Sequence, residues 1–84
     1  MTDARQIEAE ILAQTLARGF EKSICPSEVA RGLAEEWRPL MGVVRKAAVR
    51  MAQAGQIEIL RKGKPIDPAE THGVIRLRAK ADAA

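Results

Sequence analysis

The chain has 84 residues, 46% of them apolar and 30% charged, with a formal net charge of +3. That length accommodates one hydrophobic core and not two; the composition excludes a disordered chain, and no apolar run approaches the roughly 18 residues that span a bilayer. One cysteine and one histidine exclude an intrachain disulfide framework and fall short of a four-ligand zinc site. The expectation is a reducing, cytoplasmic setting with no metal, no cofactor and no membrane contact. A core this small leaves a thin stability margin, so a homodimer is expected as readily as a monomer.

Asp3 and Gln6 have the spacing of a capping box, which predicts a helix over residues 4–18. Ile7, Ile11, Leu12, Thr15 and Leu16 form its apolar stripe, and Gly19 is the residue type that ends helices. A second helix begins near Pro26, whose fixed φ suits a first turn, with Glu28 at the positive end of the helix dipole. Val29, Leu33 and Trp37 carry its buried face, and it is expected to run to about residue 35 with Trp37 in the core. Pro39 marks the start of a third helix at residue 37 or 38, preceded by Glu35 and Glu36. Leu40, Val43, Val44, Ala47, Ala48 and Met51 fall on one side of that helix at 100° per residue, and Gly55 closes it.

The apolar period then changes from helical to alternating. Ile57 and Ile59 flank Glu58, and Ile75 and Leu77 flank Arg76, which predicts two half-buried strands paired antiparallel. Lys62-Gly63-Lys64 reads as a turn and Asp67-Pro68-Ala69-Glu70 as a second turn or one helical turn. From Ala79 to Ala84 nothing is left to pack, and a frayed tail is expected. The fold class is therefore α+β and mainly helical: a single winged helix-turn-helix domain over residues 1–84, with three helices followed by a two-stranded β-hairpin wing.

The charge is segregated along the chain. Residues 1–37 hold four Lys or Arg against seven Asp or Glu, and residues 38–84 hold ten against four. No acidic residue occurs between Arg38 and Ile57, and Arg38, Arg45, Lys46 and Arg50 are expected on the face of the third helix opposite its apolar stripe. Small residues, Gly42 and Val49, lie among them. Arg61, Lys62 and Lys64 add charge at the hairpin, so helix and wing together suit double-stranded DNA. The same cations equally suit an acidic protein partner or the acidic first half of a second copy, and a basic helix face also serves simply to keep a domain soluble. With no Asn in the chain, contact with the DNA backbone is better supported than base readout. Single strands are a poorer match, because Phe20 and Trp37 are the only aromatic residues.

No reaction chemistry is evident. Cys25 lies at a helix start, a setting that can activate thiols, but no base is adjacent in sequence and His72 sits in the loop before the last strand. Glu35 and Glu36 are adjacent and so point different ways on a helix, which reads as helix-end charge and not as an acid–base pair. Gly63-Lys64 lacks the remaining residues of a phosphate-binding loop. The chain is not expected to be an enzyme.

The run Ile24-Cys25-Pro26-Ser27-Glu28-Val29-Ala30, followed by Trp37-Arg38, Leu40-Met41, Val44-Arg45, Gly55 with Ile57, Asp67-Pro68 and Gly73 with Ile75-Arg76-Leu77, resembles a family of small bacterial proteins of unknown function. The match covers nearly the whole chain. The resemblance implies a winged-helix fold and supplies no activity, substrate or catalytic residue.

Overall fold

The computed structural model describes residues 3–81. The first helix, α1 (Ala4–Arg18), begins as its capping box dictates: the Gln6 N–H donates to Asp3 Oδ1 at 2.9 Å, and the Asp3 N–H donates to Gln6 Oε1 at 2.9 Å. Asp3→Ala is expected to destabilise the fold by about 1 kcal/mol, which lowers the melting temperature by about 4–8 °C in a domain of this size. A thermal melt that does not move would show the cap to be idle. Ile7, Ile11 and Thr15 enter the core. Thr15 can be buried because its hydroxyl donates to the Ile11 carbonyl at 2.8 Å. Leu16, expected on the same stripe, is instead 56% exposed.

The second helix, α2 (Pro26–Leu33), starts at Pro26, with the Glu28 carboxylate accepting from the Cys25 N–H at 2.6 Å. It stops two residues short of the expected end. Ala34 is extended (φ −161°, ψ 153°), which ends the helix before Glu35 and Glu36. Trp37 therefore lies outside α2, in the turn, and is half-buried against the edge of the core instead of enclosed in it. A 3-10 turn (Arg38–Leu40) leads into α3 (Met41–Gln53). Val44, Ala47, Ala48 and Met51 of α3 are buried as their spacing requires, while Val43 is 43% exposed at the rim facing Ala4 and Ile7.

The two alternating segments pair antiparallel as expected. In β1 (Ile57–Arg61) and β3 (Arg76–Ala79), Ile57 opposes Ala79, Glu58 opposes Arg78, and Ile59 opposes Leu77. The apolar pairs face the core, and on the other face Arg78 reaches Glu58 at 2.9 Å. The wing is larger than a two-stranded hairpin. Lys62 and Gly63 both adopt positive φ (53° and 79°), a tight two-residue turn, and the chain returns as a third strand, β2 (Lys64–Pro65), giving the order β2-β1-β3. A 3-10 turn (Pro68–Glu70) occupies the connection, with the Asp67 side chain accepting from the Ala69 N–H.

The expected tail is also corrected. Ala79 belongs to β3 and is buried, because its place opposite Ile57 carries it under the helices; residues 82–84 lie outside those described. The far edge of β3 is held by Ile24, whose N–H and C=O both bond Leu77 at 2.8 Å. The result is a mainly helical α+β fold of the winged helix-turn-helix type, three helices and a three-stranded antiparallel sheet around one core. No helix among the described residues is long and apolar enough to cross a membrane.

Candidate nucleic-acid interface

With one side of α3 committed to the core, the residues between the buried positions are turned outward. Arg45 is half-buried, and Lys46 and Arg50 are exposed. These three, with Val49, border a shallow groove closed on its far side by Thr71 from the loop before β3. A second groove on the wing is lined by Arg61, Lys62, His72, Gly73 and Val74. The two meet where Arg45 Nη2 donates to the Gly73 carbonyl at 3.1 Å. Gly73 has φ 72°, a left-handed turn that side chains resist and glycine accepts.

The predicted cations take up distinct positions. Arg45, Lys46, Arg50, Arg61 and Lys62 border the two adjoining grooves. Lys64 stands beside them, opposite Arg61 in the β1–β2 register, and is exposed. Arg38 stands apart at the corner between α2 and α3, its guanidinium 4.8 Å from the Trp37 ring centroid, with Arg31 at 4.7 Å from the same ring. Both contacts are cation–π stacking.

The cations also differ in how far the protein occupies them. Arg61 acts as a staple: its Nη2 donates to the carbonyls of Glu70 and His72, both at 2.9 Å, and lies 3.4 Å from His72 Nδ1. Arg50 is 3.4 Å from the Glu8 carboxylate of α1, with side chains 52% and 39% exposed. An ion pair so open to solvent is worth about 0–1 kcal/mol and weakens with salt. The side chains of Lys46, Lys62 and Lys64 have no hydrogen-bond or ion-pair partner among the described residues.

Thr71, His72, Gly73 and Val74 were not anticipated as part of this surface. Val74 is 86% exposed, and the alternation of Ile75 and Leu77 places it on no buried face. Its loop docks beside α3 with the Arg45–Gly73 contact formed across 28 positions, for which the sequence carries no local signal. Cys25 accepts a hydrogen bond from the Ser27 hydroxyl at 3.2 Å, and His72 lies against Arg61; no hydrogen bond joins the thiol to the imidazole.

Comparison with curated proteins finds no match to this chain. Residues 4–80 match the family described as protein of unknown function (DUF3253), and the chain belongs to that family.

Proposed function

We propose that this domain binds double-stranded DNA through the outward face of α3 and the wing, as a binding module with no reaction attached. The observation that carries the reading is the Arg45–Gly73 contact, which joins the cations of the helix and those of the wing into one surface. A helix flanked by a second positive edge suits a major groove with phosphates on either side. Anisotropy titration of a labelled duplex between 50 and 200 mM salt tests it. If about four or five phosphates are neutralised, log affinity falls with log salt at a slope near −4. Arg45→Ala with Arg50→Ala brings that slope about 2 units closer to zero. A slope near zero, or an affinity that ignores both substitutions, overturns the reading.

The second reading is a protein-interaction module of the same fold, in which these cations meet an acidic partner or the acidic first half of another copy. A separate feature that bears on self-association is a groove lined by Leu12, Leu16, Phe20 and Ala79 together with Gln56 and Lys80, where Phe20 is 50% exposed. Sedimentation of the free protein separates the self-association form: a concentration-dependent mass that Leu16→Glu abolishes supports it, and a constant monomer mass removes it.

A further inference from the structure

We infer, building on the DNA reading above, that this surface grips the phosphate backbone without discriminating base sequence. Base readout in the major groove depends on a few side chains whose planar donor groups are free to meet base edges, arginine on guanine and asparagine or glutamine on adenine. The arginines here are already engaged: Arg45 on the Gly73 carbonyl, Arg50 beside Glu8, Arg61 on two loop carbonyls, and Arg38 on Trp37. Each retains its charge: Arg61 is held at two carbonyls and Arg45 at one, whereas the Arg50 pair with Glu8 is open to solvent and weak, which leaves Arg50 as the fork to be tested.

The amide side chains are equally sparse. The chain has no Asn; Gln6 is spent in the α1 cap, and Gln14 bonds Glu10 and the Glu28 carbonyl. Gln53 is the single amide side chain on α3 and the last residue of that helix, while Gln56 borders the separate groove of Leu12, Leu16 and Phe20. Of the seven cations assigned to this surface, the side chains without a protein partner among the described residues are those of Lys46, Lys62 and Lys64, and lysine meets phosphate as a mobile point charge without fork geometry. Val74, at the wing, offers apolar contact to sugars, which are the same at every base pair. Glu8 beside Arg50 adds a carboxylate at the rim of this surface.

The test is selection from a pool of duplexes with a randomised centre, sequenced before and after binding to the protein, with the pool's affinity read by anisotropy for the parent and for Arg50→Lys. The expected result is binding to the pool, no sequence enriched more than about threefold, and an Arg50→Lys affinity within about threefold of the parent, against the tenfold or greater loss that follows removal of a base-reading fork. Larger enrichment of any motif, or a larger loss on Arg50→Lys, overturns this inference and leaves DNA binding standing. No binding to the pool overturns the DNA reading, and this inference with it.

Discussion

Leu77→Ala is expected to remove about 3–4 kcal/mol from the stability of the fold. Leu77 is fully buried, opposes Ile59 across the sheet, and exchanges both of its backbone hydrogen bonds with Ile24. Truncating it leaves a cavity at the point where the strand, the α1–α2 connection and the helices converge, and three such anchors limit how far the walls can collapse. Small domains are stable by about 0.05–0.15 kcal/mol per residue, so the loss is a large fraction of the whole. Urea unfolding measures it: the midpoint should fall sharply while the m-value holds. Leu16→Ala is the control, since a side chain 56% exposed costs about 0.5 kcal/mol or less. Equal losses at both positions would mean that Leu77 does not hold the core together.

The second large effect is on binding. Replacing Lys46, Lys62 and Lys64 together by Glu should weaken duplex affinity by about a hundredfold or more at 0.15 M salt. Each phosphate that the protein ceases to neutralise is worth roughly 0.7 of a decade there through counterion release, and the new carboxylates add repulsion. All three side chains are exposed, so the fold should be unaffected, which circular dichroism checks. Lys22→Glu, on an exposed lysine that borders neither groove, should change affinity by about threefold or less through net charge alone. Comparable effects in the two proteins would show that overall charge, and not this surface, governs binding.

The elements were legible in the sequence to the extent that local chemistry sets them. The capping box at Asp3, the proline at position 26 and the alternation around Glu58 each act within a few residues, and each produced the element it predicts. The errors arose where a pattern ran past a tertiary limit. The four-residue spacing of Val29, Leu33 and Trp37 suggested one continuous buried face, but the chain turns extended at Ala34 and leaves Trp37 in the turn. Leu16 and Val43 fit their stripes and still face solvent, because none of the described residues covers them. β2 went unseen because two residues, one of them proline, carry no alternation to read. The site divides in the same way. The cations of α3 follow from helical geometry, whereas the staple made by Arg61 and the meeting of Arg45 with Gly73 depend on how the loop docks.

The shortness of β2 has a further consequence. A sheet exposes unpaired N–H and C=O groups at its margins, and those margins recruit other chains into fibrils or swapped assemblies. Here one margin ends after Lys64 and Pro65, and proline has no N–H to donate, while the other is capped at its middle by Ile24. Among the described residues neither margin offers a long uninterrupted ladder for a neighbouring chain to extend.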